Sequence, residues 1–175
     1  MDLNSLISLD SIQQLVNSLR LLPHPEGGYY RETYRSPGII NDFDLGNGQS
    51  ARRNYSTAIY FLLTRGNFSA FHRIRQDEVW HHYQGDAVRL HMIDPLGQYS
   101  VVSVGNDLEQ GHHPQYMVPA GYWFASEVEE GGRYALTGCT VAPGFDFADF
   151  ELATAGELSS RWPQYGELIQ RLTRS

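Results

Sequence analysis

Gly66-Asn-Phe-Ser-Ala-Phe-His72-Arg-Ile74-Arg-Gln-Asp-Glu78-Val-Trp-His-His-Tyr-Gln-Gly85 is the stretch on which the fold turns. Side chains along a strand alternate between faces, so His72 and Ile74 share one face. The polar triplet Arg75-Gln76-Asp77 reverses the chain. Glu78, Trp80 and His82 then form a matching face on the return strand. Where that face is a barrel interior, an imidazole and a carboxylate meet among aromatic rings. Burial shifts both pKa values, and a coupled His–Glu pair can transfer a proton.

Working outward, the same period-two pattern marks Tyr29–Arg35, Ser56–Thr64, Phe68–Arg75, Glu78–Gln84, Ala87–Asp94 and Tyr99–Val104. It returns at Gln115–Val118, Tyr122–Ser126 and Tyr134–Val141. Turn chemistry separates these segments at Arg65-Gly66-Asn67, Gly85-Asp86, Asp94-Pro95-Leu96-Gly97, Pro119-Ala120-Gly121 and Glu130-Gly131-Gly132. Many short strands with regular turns predict an antiparallel sandwich or barrel. Residues Ile39 to Gln49, rich in Gly, Asn and Asp, read as a surface loop. At the N-terminus, Leu9, Ile12, Leu15, Val16 and Leu19 follow helical spacing, and Pro23 and Pro25 stop the helix. At the other end, Thr154-Ala-Gly-Glu157 is a capping box, and Pro163 opens a last helix bearing Leu168, Ile169 and Leu172. The expectation is one mainly β domain over residues 1–175. It has a helix at about 9–21, a barrel at about 29–141 and a C-terminal helical segment at about 154–173.

Composition narrows the function classes. A net charge of -7 with a pI near 5.4 repels a phosphate backbone, and no basic stripe offsets it, so no nucleic-acid partner is expected. The longest apolar run, around Ala58 to Leu63, is far short of the ~20 residues of a membrane helix, so no membrane partner is expected. Met1-Asp2-Leu3-Asn4 lacks a basic signal-peptide start, and the single cysteine, Cys139, fits a reducing cytosol as a buried, inert thiol. The predicted location is cytoplasmic. Arg31, Arg35, Arg52, Arg53, Arg73 and Arg75 cluster locally and could meet one small anion or simply edge the strands. Exposed sheet edges predict a homodimer.

The opening stretch resembles the first motif of the cupin superfamily, a glycine, five residues, His-x-His, three residues, Glu, six residues and Gly. Every fixed point matches except the second histidine, which is Ile74. The second cupin motif, Pro-x-Gly, two residues and a histidine, matches at Pro119-Ala-Gly121 with Phe124 in the histidine's place. His24-Pro-Glu-Gly-Gly-Tyr-Tyr-Arg-Glu-Thr-Tyr-Arg-Ser36 and Gly138-Cys-Thr-Val-Ala-Pro-Gly-Phe-Asp-Phe-Ala-Asp-Phe-Glu151 further resemble cupin family 5. The resemblance implies a double-stranded β-helix, or jelly-roll, and a dimer without an agreed activity. A cupin metal site uses three imidazoles and one carboxylate, and a stable site needs at least three protein ligands. Only His72 and Glu78 survive, so no cofactor is expected; a metal at His72, Glu78 and His82 is the alternative.

Gly28-Tyr-Tyr30-Arg-Glu32-Thr-Tyr34 also resembles the first strand of nucleotide-sugar 3,5-epimerases, which are cupins. That resemblance implies that Tyr30 and Glu32 contact a ligand and that His72 acts as a base. Those enzymes carry arginines where this chain has Gly27 and Ser69, which argues against a nucleotide-sugar. The candidate catalytic residues are His72 and Glu78, with Glu78 orienting the imidazole. The candidate ligand-binding residues are Glu26, Tyr30, Glu32, Tyr34, Trp80, His82 and Phe124. Three readings follow: a module binding a small polar organic or sugar-like molecule, a metal-independent isomerase or epimerase using His72 as base, and a metal-dependent dioxygenase or isomerase.

Overall fold

The structure, a computed structural model, describes residues 12–45 and 48–174. Helix α1 runs through residues 12–19; the part of the expected helix at 9–11 lies outside the described residues. Among the described residues, thirteen strands follow. They are β1 Leu22–Pro23, β2 Tyr29–Arg35, β3 Ile39–Asp44, β4 Ser50–Asn54, β5 Thr57–Thr64, β6 Phe68–Arg73 and β7 Glu78–Gly85, then β8 Val88–Ile93, β9 Tyr99–Val104, β10 Gln115–Val118, β11 Trp123–Val128, β12 Tyr134–Val141 and β13 Glu151–Leu152. Helices α2 Ala155–Arg161 and α3 Gly166–Arg171 end the chain's regular structure.

The strands form two antiparallel sheets in the orders β1-β2-β5-β12-β7-β10 and β13-β6-β11-β8-β9. Their inner faces enclose Phe61, Leu63, Trp80, Leu90, Met92 and Phe124. Alternation explains this core, since these inward residues are apolar and their neighbours along each strand face away. The outer face of the first sheet is covered by α1, through Leu15, Val16 and Leu19 against Leu62 and Leu136. The outer face of the second is covered by α2 and α3, through Leu158, Trp162 and Ile169 against Phe71 and Trp123. The mainly β jelly-roll with flanking helices is thus the observed architecture. Among the described residues, no helix is long and apolar enough to cross a membrane.

Two expectations need correction. Residues 39–49 are not a loop throughout: β3 and β4 pair as a separate two-stranded ribbon. Its Gly, Asn and Asp content concealed it because neither strand packs into the core. The Arg75-Gln76-Asp77 triplet does not close a hairpin. It carries the chain from the second sheet to the first, so β6 and β7 face each other across the interior instead of pairing.

Candidate functional site

Strand register builds the site. In the first sheet Glu32, Ile59, Cys139 and Trp80 form one cross-strand row, and Arg35, Thr57, Val141 and Glu78 form the next. His72 enters from β6, with Ile74 just beyond it. Phe145, Phe147 and Phe150 arrive on the segment after β12. Apart from Trp80 and Thr57, these residues line a cavity of about 470 Å³ at one end of the sandwich.

Glu26 forms its floor. The turn His24-Pro25-Glu26-Gly27-Gly28 closes by hydrogen bonds from the Gly27 amide to the His24 carbonyl and from the His24 amide to the Gly28 carbonyl, each 3.0 Å. Gly27 and Gly28 have φ values of +115° and +74°, which side chains other than glycine's rarely adopt. The Ser69 hydroxyl donates to Glu26 Oε1 at 2.8 Å, and Glu26 Oε2 lies 3.1 Å from His72 Nε2. His72 Nδ1 is 2.8 Å from the Ala70 carbonyl, which can only accept. The ring proton is therefore assigned to Nδ1, leaving a lone pair on Nε2.

Electrostatics agree with that assignment. Burial pushes His72 down to about 3, so the ring is neutral at ordinary pH. Burial and then the neighbouring Glu78 push Glu26 well above the usual carboxylate range. The Glu26 carboxyl is thus protonated and donates to Nε2. Burial also raises Glu78 to about 7; the Cys139 thiol and Trp80 indole offset part of that cost, although the indole nitrogen falls short of hydrogen-bond geometry. Cys139 is pushed up by burial and then by Glu78. His24 accepts from the Glu26 amide at 3.3 Å, and burial lowers it to about 4, so its 3.6 Å approach to Glu26 Oε2 joins two neutral groups.

The mouth is aromatic and charged. Arg35 grips Glu32 through Nε at 2.9 Å and Nη2 at 2.6 Å, and also donates to Asn54 Oδ1 at 2.8 Å. His24 meets Tyr30 edge-on at 4.5 Å, Phe145 meets Phe147 at 5.0 Å, and Phe150 lies 5.3 Å from the His72 ring. Asp149 holds this segment in place by accepting from Arg53 and Gln76.

Of the expected residues, His72, Glu78, Glu26, Tyr30 and Glu32 line the cavity. Tyr34 does not and is 52% exposed. A bulge at Thr33 puts Tyr34 opposite Ala58, so the alternation skips a place and Arg35 faces inward instead. Trp80 and Phe124 lie behind the wall in the core, Phe124 with its ring 4.1 Å from His72. His82 is on the inner face but further along, where its Nε2 is 2.9 Å from the Asp86 carbonyl. The imidazole of His72 is oriented by Ala70 and Glu26, not by Glu78. Four of the six clustered arginines are paired: Arg35, Arg53, Arg73 and Arg75 face Glu32, Asp149, Glu151 and Asp149. Sequence reading noted Arg35 only within an arginine cluster and missed the three phenylalanines, and Cys139 is buried as expected yet also lines the cavity. Three phenylalanines in a polar, turn-rich segment were the available signal.

A cupin metal does not fit these residues. Ile74 and Phe124 offer no donor, His82 is held elsewhere, and His72 Nε2 is occupied by Glu26. Among the described residues, no three His, Cys, Asp or Glu side chains are grouped to hold an ion.

Two facing sheets with a cavity at one end define a cupin sandwich. The chain belongs to the family described as cupin superfamily (DUF985), or Cupin_5, whose model matches residues 13–153. It is 36% identical over 148 residues to the uncharacterized protein YML079W of Saccharomyces cerevisiae, covering 79% of this chain and 73% of that one. A hypothetical protein from Leishmania major has a similar structure, with a TM-score of 0.85 and 37% identity over 93% of this chain and 98% of that one. Protein SO0799 from Shewanella oneidensis gives a TM-score of 0.81 and 38% identity, over 93% and 96%. Oxalate decarboxylase from Bacillus subtilis shares the fold alone, with a TM-score of 0.52 and 15% identity over 86% of this chain and 36% of that one.

Proposed function

We propose that the chain binds a small polar organic molecule in the cavity between its sheets. The observation that carries this reading is the Glu26–His72 pair, buried at 3.1 Å, with Glu78 facing the same cavity. Buried ionisable groups cost stability, and their concentration in one apolar-walled space marks a functional site. The volume of about 470 Å³ suits a sugar-sized molecule. A nucleotide-sugar fits poorly. Ser69 spends its hydroxyl on Glu26, and a Cβ at Gly27 would sit 2.1 Å from both Arg174 Nη2 and the Phe68 carbonyl.

Thermal-shift and calorimetric screens against sugars, polyols, amines and small organic acids test this. A ligand at a hundred times its Kd adds about 2.7 kcal/mol, which raises Tm by several degrees. Glu26→Ala should abolish the shift. A panel in which no class stabilises the wild-type protein refutes the reading.

The contact between an acid and an imidazole favours a second reading, a metal-independent isomerase or epimerase. His72 Nε2 shares a proton with Glu26, so the base would be the pair rather than His72 alone. Solvent deuterium should enter the ligand, and exchange that survives His72→Ala removes this assignment. The reading also includes a homodimer, because β9 and β10 are sheet edges. Light scattering that reports a monomer at micromolar concentration removes that part.

A further inference from the structure

We infer that the molecule held in this cavity is a small organic cation, an alkylamine or a quaternary ammonium compound. The inference rests on the ligand-binding reading above and adds the charge of the ligand. Its starting point is Glu78, which is 8% exposed, lines the cavity and has no ion-pair partner among the described residues. Its neighbours are a thiol and an indole. Glu26, equally buried, touches only Ser69 and two neutral imidazoles through its carboxyl group. Glu26 keeps its proton, but Glu78 holds its own only up to about 7, and once ionised it is costly unless a positive charge accompanies it.

Among the described residues, the chain sets no arginine in an ion pair with either carboxyl group. Its 13 basic residues are all arginines, and those near the cavity are committed elsewhere. Arg35 is locked on Glu32 by two hydrogen bonds. Arg31, at the cavity lining, lies 5.8 Å over the Tyr60 ring and forms no ion pair with Glu26 or Glu78. Arg174 donates to the backbone carbonyl of Glu26, and its charge acts on the carboxyl group only from a distance, after burial, Glu78 and Ser69 in size.

The walls point the same way independently. His24, Tyr30, Phe61, Phe145, Phe147 and Phe150 line one cavity, several of them in edge-to-face pairs. Ring faces carry negative potential and attract ammonium groups. An anion would meet Glu32, Glu78 and Asp146 against only two guanidinium groups, Arg31 and Arg35, the second already held by Glu32. A neutral polyol would find acceptors but give an ionised Glu78 no counter-charge. An ammonium group between Glu78 and the phenylalanine wall satisfies both.

The test compares matched pairs by isothermal calorimetry. Choline is set against its carbon analogue, in which carbon replaces the ammonium nitrogen, and propylamine against propanol. The cation of each pair should bind at least tenfold more tightly. Glu78→Gln, which preserves shape, should remove that preference while leaving the neutral analogue unchanged. Phe147→Ala, at a ring already 50% exposed, should weaken cation binding several-fold without unfolding the chain. Neutral analogues that bind as well as cations, or a cation preference that survives Glu78→Gln, overturn the inference while the ligand-binding reading stands. Failure of both members of every pair also overturns it, and the wider reading then falls only if sugars and acids fail too.

Discussion

Replacing Asp149 by alanine should unlatch the aromatic wall and destabilise the whole domain. Asp149 is 5% exposed and accepts from Arg53 Nε, Arg53 Nη2 and Gln76 Nε2, each at 2.6 Å. Arg53 is itself buried, so loss of Asp149 strands a guanidinium out of water. Breaking one side of a buried pair costs about 3–5 kcal/mol, most of it the penalty of the abandoned charge. Arg75, more exposed and 3.7 Å away, adds little because water screens it. In a domain of this size each kcal/mol lowers Tm by roughly 2–4 °C, so the fall should be roughly 6–20 °C. Urea denaturation of Asp149→Ala, Arg53→Ala and the double variant completes the cycle. The double variant should cost well below the sum of the singles, because no charge is then left alone. A loss under about 1 kcal/mol for Asp149→Ala, or strict additivity, would refute the reasoning.

Tm should also peak near pH 6.5. As pH falls below that value, the unfolded chain protonates His24, His72 and His91, which burial holds at about 4, about 3 and about 4 in the fold; these three outnumber the opposing Glu26 and Glu78. Above it, the folded chain loses the proton that burial keeps on Glu78 up to about 7, so a Tm that climbs steadily from about pH 6.5 to 8 contradicts this account. Gly28→Ala should cost at least about 1–2 kcal/mol for the left-handed backbone alone. Its Cβ would also lie 2.8 Å from the Leu62 carbonyl, so urea curves that overlay wild type would count against the turn geometry. Thr154→Ala should cost about 1 kcal/mol by urea denaturation, because the Thr154 hydroxyl caps α2 through the Glu157 amide at 3.3 Å.

Most strands were legible because turn residues bracket them. Tyr29–Arg35, Tyr99–Val104, Gln115–Val118 and Tyr134–Val141 have the same limits in sequence and structure. The β3–β4 ribbon was not, since an exposed hairpin carries no alternating apolar signal. His72 and Glu78 were legible from spacing on one local stretch. Glu26 is harder, because its role depends on Ser69 and His72 approaching a turn more than 40 residues away in sequence. The segment bearing Phe145, Phe147 and Phe150 is harder still. It has no periodicity of its own and is placed by Arg53 and Gln76, contacts that no local pattern encodes.

The bulge at Thr33 also makes β2 unequally tolerant of lost residues. Deleting Thr33 would straighten the strand yet leave Glu32 and Arg35 on the inner face, two places apart. Deleting Arg31 instead would shift every residue before the gap, exchanging Tyr30 for Tyr29 at the cavity. A family that varies by single-residue deletions along this strand could therefore alter its mouth abruptly at one position and hardly at all two residues away.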